Sequence, residues 1–424
     1  MSELGALLER EMEAIRSPEF GVVDVGRRVE RRQRNRRVRA AVVALAVAAI
    51  AGVGLVKAFT DIQRRVPAVP PPTGTIVLSR AVGPSITHLY TIGPDGVVRL
   101  LTPKPFDVFW ISPDGSHVLY PNDNLRTSEI LPAIVDLDGS HRRLVRSRVP
   151  MFPGGWSPDG TRIVGLGSRA GHSTGLYTAR ASDGGDQIQV TSAPGRRTDE
   201  AIGYSPEGSK ILFLRSAKDV SAAFSRATKD LFVVDADGSG VLQLNPPGTV
   251  LGPFNAGVAG TPPQPVWDLR TASWSPDGTR VAFAAAIATP GEARNGEVER
   301  GLFVVDADGS DAHQIVPSAQ ILDAQWSPDG TWIAFTEANP DRPDVFIVHP
   351  DGTGLREVTS SSDGLSSWGP VWSPDSSALL FVRNPEQEQF LSQLWFVNVD
   401  GSDLTKLTNT PAYYFSYGWS PRSL

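Results

Sequence analysis

Along this chain, short apolar runs with strand-like composition are separated by two recurring turn phrases, and the pair repeats in a fixed order. The first phrase is an aromatic or apolar residue followed by Ser-Pro-Asp-Gly or a close variant. It begins at Ile111, Trp156, Tyr204, Trp274, Trp326, Trp372 and Trp419. Its serines, Ser112 to Ser420, are separated by 45, 48, 70, 52, 46 and 47 residues. Proline pre-sets φ at the second turn position, aspartate bonds the nearby backbone, and glycine closes in a left-handed conformation. The second phrase is Asp-Gly after an apolar run, at Asp95, Asp138, Asp183, Asp237, Asp308, Asp351 and Asp400. Two copies, Leu231–Ser239 and Leu302–Ser310, are the same string, LFVVDADGS. Asp-Gly between apolar runs predicts a tight two-residue hairpin, where glycine meets no steric penalty at φ > 0.

Each repeat therefore predicts four strands. Strand A leads into Ser-Pro-Asp-Gly and strand B follows it, as in Arg280–Phe283 or Thr331–Phe335. Strand C precedes Asp-Gly, and strand D ends in phrases such as Arg356–Thr359 or Lys406–Thr408. A period in the forties with strand-like flanks predicts propeller blades, since a helical repeat carries 3.6-residue periodicity. The first C–D hairpin, His88–Thr102, has a B-like strand before it, Thr75–Arg80, but no A strand. The last A strand, Tyr413–Ser420, has no B, C or D after it. The predicted fold is all-β: a seven-bladed β-propeller whose C-terminal strand completes the first blade. Closure removes the open edges that invite aggregation.

These motifs resemble the TolB-type propeller repeat, which also occurs in the propellers of prolyl-oligopeptidase-type and tricorn-like proteins. The resemblance covers roughly residues 74–424. It implies the fold and leaves function open, because the fold hosts scaffolds, sensors and enzymes. Ile111, Glu207, Ser376 and Arg422-Ser423 depart from the repeat at turn positions.

Composition adds location. The 41 Gly and 35 Pro suit a chain rich in turns, and the absence of Cys removes disulfides, thiolate metal sites and Cys nucleophiles. Ala40–Val56 carries no charge, and Lys57 can snorkel to extend the span to Phe59, close to the ~20 residues that cross a bilayer. A dense arginine cluster, Arg27 to Arg39, precedes it, which predicts a cytoplasmic N-terminus and an extracytoplasmic propeller. A cleaved signal peptide is the alternative; the long leading segment argues against it. The expected organisation is a cytoplasmic stub (1–39), a transmembrane helix (40–59), a proline-rich linker (60–73) and the propeller (74–424). Residues 1–39 hold ten Arg against seven Asp and Glu, leaving 30 basic and 39 acidic residues in the remainder. An acidic propeller is a poor nucleic-acid binder, so no nucleic-acid partner is expected. In the stub, Leu4, Leu7, Leu8, Met12 and Ile15 have helical spacing, read either as a docking helix or as part of a topology determinant.

Catalytic chemistry finds little support in the residues. The Asp-x-Asp-Gly-Ser turns invite a calcium reading, but no distal Glu follows at regular spacing. The six His show no metal-ligand spacing. The phrase nearest to a nucleophile elbow, Gly155–Gly160, belongs to the structural repeat. The hydrolase domain of the resembling peptidases is not expected in a chain ending at Leu424. No cofactor, metal or catalytic residue is predicted, and the recurrent Trp is read as packing between blades.

Breaks in the repeat carry the binding expectation. Blade 4 has extra sequence between strands B and C (Ser216–Lys229) and in its D–A connection (Asn245–Trp267); blade 5 has a long B–C loop (Ala284–Arg300). B–C and D–A loops leave a propeller on the same face, so the insertions cluster on one rim. Candidates there are Phe224, Arg226, Lys229, Phe254, Trp267, Arg294 and Glu299. Asp107, Asp199, Glu200, Asp268 and Asp323 fall near A-strand starts, a candidate acidic channel mouth for a cation or basic peptide. The plainer accounts are loop expansion and strand-end surface charge. The reading favoured is a membrane-anchored module that binds an envelope protein, peptide or ligand without chemistry. The alternatives are a sensor signalling through the stub and a propeller enzyme acting on carbohydrate or peptide.

Overall fold

A computed structural model describes residues 74–421, excepting 84–85, 103–107, 125–128, 170–171, 193–197, 217–228, 247–248, 252–270, 288–298, 319–320, 339–341, 386–391, 409–411 and 413. The stub, the apolar span Ala40–Val56 and the linker lie outside these residues. Among the described residues no helix is long and apolar enough to cross a membrane.

Seven antiparallel sheets form the blades. In blade 1 the order is Tyr414–Ser420, Thr75–Gly83, Ile86–Ile92 and Val98–Thr102. The C-terminal strand therefore supplies strand A, with Thr75 opposite Ser420 and Leu78 opposite Tyr417. Ser420 Oγ also donates to the Gly115 carbonyl of blade 2 at 2.9 Å. Blade 2 runs Trp110–Ile111, His117–Asn124, Glu129–Asp136 and Arg143–Leu144. Blade 4 runs Asp199–Tyr204, Lys210–Ser216, Lys229–Asp235 and Leu242–Gln243. Blade 5 runs Ala272–Trp274, Arg280–Ile287, Glu299–Asp306 and His313–Pro317. Blades 3, 6 and 7 keep the same order.

The core is a ring of seven apolar clusters, each between two neighbouring blades. Strand alternation produces this directly, because successive side chains leave opposite faces of a sheet. In strand B of blade 2, Val118 joins the cluster shared with blade 1. Leu119 joins the cluster shared with blade 3. The recurrent aromatics lie in or against these clusters, as expected: Trp419 between blades 7 and 1, Trp326 between 5 and 6, Trp372 between 6 and 7. Two of them also bond the preceding blade: Trp156 Nε1 donates to the Trp110 carbonyl (3.2 Å) and Trp372 Nε1 to the Gln325 carbonyl (2.9 Å).

The turn serine is more than a turn former. Ser327 Oγ donates to Asp329 Oδ1 (2.6 Å) and accepts from the Trp332 N–H (2.9 Å), and Ser157 repeats this with Asp159 and Arg162. The side chain thus satisfies a backbone donor beyond the turn. Ser376 replaces the glycine of blade 7 at φ 62. Its hydroxyl accepts the Asp329 N–H of blade 6 at 3.0 Å, a bond glycine cannot make.

Two expectations need correction. The Asp-Gly hairpins are not tight two-residue turns, although their glycines do take φ > 0 as expected. Gly139 N–H donates to the Asp136 carbonyl (2.8 Å), and of Asp138 and Gly139 only Gly139 has positive φ. That is a type I turn closed by a left-handed glycine, the three-residue hairpin solution. The B–C loop of blade 5 is also shorter than Ala284–Arg300. Strand B continues to Ile287 and strand C begins at Glu299.

Candidate functional site

The roots of the blade 4 and blade 5 insertions form one hydrogen-bonded surface. Ser216 pairs with Lys229 across the mouth of the blade 4 B–C loop. Ile287 pairs with Glu299 across that of blade 5. Between them runs a short extra strand, Thr249–Val250, from the D–A connection. Its Thr249 and Val250 pair with Ile287 and Ala286 of blade 5. The next residue, Leu251, exchanges two backbone bonds with Lys229 of blade 4, at 2.6 and 2.9 Å. One segment therefore bridges adjacent blades and joins all three loop roots. Sequence reading took 245–267 as connection only, because two strand residues flanked by Gly and Pro give no periodic signal.

Lys229 sits at this junction. Its Nζ lies 2.6 Å from Glu200 Oε2, with the two side chains 17% and 14% exposed. A residue expected on the exposed rim is thus paired with one expected at the channel mouth. Next to Glu200, Asp199 is buried. Arg215 Nε and Nη2 donate to its two oxygens at 2.7 Å each, and Thr191 Oγ1 adds a third bond at 2.6 Å. The guanidinium packs 5.2 and 5.1 Å from the Phe213 and Phe232 rings. The Asp199 carboxylate holds the Arg215 pKa above its ordinary value.

Asp323 is buried too, accepting from the Thr336 N–H and Oγ1 at 2.6 and 2.8 Å. Glu200 and Asp323 therefore brace their own blades, Asp199 also ties blade 4 to Thr191 of blade 3, and none of the three presents a free carboxylate to a channel. Asp107, Asp268, Phe224, Arg226, Phe254, Trp267 and Arg294 lie outside the described residues, and only the backbone of Glu299 is described.

Sequence reading missed the arginines that end two B strands, Arg215 in KILFLRS and Arg383 in ALLFVRNP. Arg383 is fully buried, bonding Ser367 Oγ (3.1 Å), the Ser360 carbonyl (3.0 Å) and Asp363 (2.9 Å), and lying over Trp395. Its signal was a lone charge at the same repeat position of an otherwise apolar strand. Asp344 of blade 6 is also buried, and burial raises its pKa despite bonds from Thr359 and Ser361.

Carboxylates of the Asp-Gly turns are occupied locally. Asp308 accepts from the Ser310 N–H (2.9 Å) and Oγ (2.6 Å), and these bonds lower its pKa. On blade 2, His141 and His117 contact different oxygens of Asp136, at 2.8 and 3.3 Å. Among the described residues no group of three or more His, Asp or Glu is arranged to hold a metal ion.

With this geometry in hand, known proteins show what the propeller resembles. Residues 278–423 match the TolB β-propeller domain. The Tol-Pal system protein TolB of Syntrophus aciditrophicus is 34% identical over 83 residues, 19% of this chain and 17% of that protein. The TolB of Anaeromyxobacter dehalogenans strain 2CP-C is 31% identical over 138 residues, 32% of this chain and 30% of that protein. The chain thus spans less than a third of either relative's length. Among solved structures, the β-propeller domain of the trilobed protease from Pyrococcus furiosus has a TM-score of 0.54 at 12% identity. The match covers 81% of this chain and 97% of that domain, and shows the fold alone. That domain has an open velcro topology, whereas here strand A of the first sheet comes from the C-terminus. The chain carries a TolB-like propeller.

Proposed function

We propose that this TolB-like propeller is a membrane-anchored, extracytoplasmic module that binds a protein or envelope ligand through the rim of blades 4 and 5, without catalysing a reaction. The observation that carries the reading is the Lys229–Leu251 bridge together with the Val250–Ala286 pairing. Three insertions in adjacent blades thus share a hydrogen-bonded base at their roots. A preorganised base lowers the ordering cost of binding. Membership of the relatives in the Tol-Pal system agrees with a protein partner. The anchor rests on the apolar span and the arginines before it.

The pairing of two candidate acids, Asp199 and Glu200, supports the binding reading over the enzyme. Asp199 is held by Arg215 and Thr191, and Glu200 by Lys229, so both carboxylates are engaged within the protein. The test is crosslinking affinity capture of the full chain from membranes, beside a variant lacking residues 253–266. That deletion spares Thr249–Leu251 and the paired roots. A partner retained by the full chain and lost by the variant supports the rim; identical partner lists refute it.

A further inference from the structure

The outer strand of blade 2, Arg143–Leu144, and the residues on either side of it form a basic segment. Its sequence, Arg142-Arg143-Leu144-Val145-Arg146-Ser147-Arg148, has four arginines in seven residues, within a propeller whose residues are acidic in balance. Arg142, Arg146 and Arg148 are exposed and Arg143 is half-buried. Val145, by contrast, is buried in the cluster with blade 3 and fixes the strand.

Elsewhere the described cations are mostly spoken for. Arg99, Arg180, Lys210, Arg215, Lys229 and Arg383 each pair with a carboxylate. Arg142 donates to Tyr120 Oη (2.6 Å) and Asn122 Oδ1 (2.5 Å). Among the described residues Arg143, Arg146 and Arg148 make no ion pair or side-chain hydrogen bond. The segment is nevertheless rigidly presented: the Gln187 amide of blade 3 clamps Val149, accepting its N–H and donating to its carbonyl, both at 2.8 Å. Arg143–Leu144 is also an edge strand, paired only with Ile134 and Ala133 on its inner side. Beyond it the blade 3 turn covers the Arg146 carbonyl, so the segment offers its side chains to a partner more than its backbone.

We propose that the outer edge of blade 2 docks an acidic, extended segment of a partner protein. The occupant follows from the shape of the charge. Arg143 lies on the outer strand and Arg146 and Arg148 on the segment that continues it, with the exposed carboxylate of Asp138 on the blade 2 turn, while Asp183 and Asp186 of the blade 3 turn are engaged by Arg180. Asp138 repels a broad anionic plane such as a lipid surface and Arg143 is half-buried beyond its reach, while a single acidic chain can follow the segment from Arg143 to Arg148. This surface is two blades from the blade 4 insertions and stands independently of the rim reading.

The experiment is fluorescence anisotropy of the detergent-solubilised full chain with a labelled peptide alternating Glu and Val. The Gln-Val peptide and phosphatidylglycerol vesicles are the comparisons. The acidic peptide is expected to bind, more weakly as salt rises, and the Gln-Val peptide not to bind. The variant R143Q/R146Q/R148Q is expected to bind about tenfold more weakly, the sum of three exposed charge pairs. Should it melt early, R146Q/R148Q alters only the two exposed positions and is expected to lose part of the affinity. Equal binding by wild type and variants, or no peptide binding, overturns the proposal. Vesicle binding without peptide binding overturns the choice of a protein segment. Deleting 253–266 is expected to leave the peptide affinity unchanged.

Discussion

Lys229 and Glu200 form a 2.6 Å ion pair that ties the start of strand C to the start of strand A in blade 4, beneath the inserted loops. Both side chains are mostly withdrawn from solvent, so removing one partner leaves a poorly solvated charge. K229M is expected to destabilise the propeller by about 1–2 kcal/mol, below the cost for a fully buried pair. The double variant K229M/E200Q is expected to recover most of that loss. Urea unfolding of the four members of the cycle measures it.

Asp199 gives a sharper case because its carboxylate is fully enclosed. D199A strands Arg215 against Phe213 and Phe232 and is expected to cost about 3–5 kcal/mol. A ligand-binding acid behaves differently, since its loss leaves the melting temperature intact and abolishes binding. Thermal unfolding of D199A therefore separates the structural role from a functional one.

Turn glycines separate conformational strain from steric contact. Gly160 has φ 69 with nothing within 4 Å of a built Cβ. G160A is expected to cost about 1–2 kcal/mol, the left-handed penalty alone. Gly184 has φ 80, and its Cβ would lie 2.5 Å from the Arg146 carbonyl carbon and oxygen. G184A must also push the blade 3 turn off the outer strand of blade 2, and is expected to lose clearly more. Side-by-side melting of the two variants checks the order.

Acid sensitivity has a sign fixed by the turns. Asp159, Asp277 and Asp375 are held below the usual carboxylate range, first by hydrogen bonds from Ser157, Ser275 and Ser373. Their contribution to stability is complete above the unfolded value of about 3.9 and is lost as pH falls through their lower folded values. Asp344 acts oppositely: burial raises its pKa, so the stability tied to its protonated form is lost as pH rises. The denaturant midpoint is expected to fall below about pH 4, and D159N/D277N/D375N to flatten that fall.

Ring closure rests in part on one hydroxyl. Tyr417, on the C-terminal strand, donates to the carbonyls of Gly369 (2.6 Å) and Trp368 (3.1 Å) in blade 7. Y417F is expected to cost about 1–2 kcal/mol by leaving buried carbonyls short of a donor, read by chemical denaturation.

How far the chain could be read in advance depended on the range of each interaction. The blades, their number and the closure by Tyr414–Ser420 were legible because turn phrases and strand alternation are local properties, and seven in-phase copies reinforce one another. The aromatic before each Ser-Pro-Asp-Gly was legible as inter-blade core for the same reason. The partners of charged groups were not, because pairing depends on which strands meet. Asp199 and Glu200 read as free acids until Arg215, sixteen positions on, and Lys229, twenty-nine on, came beside them in the sheet. Likewise, Thr249–Leu251 has no strand signal of its own and becomes a bridge only because blades 4 and 5 each offer it an edge. Sequence by itself determined the repeat, because each turn is built from neighbours along the chain. Tertiary structure alone decided which charges are spent inside the blades and which, at Arg143, Arg146 and Arg148, make no ion pair among the described residues.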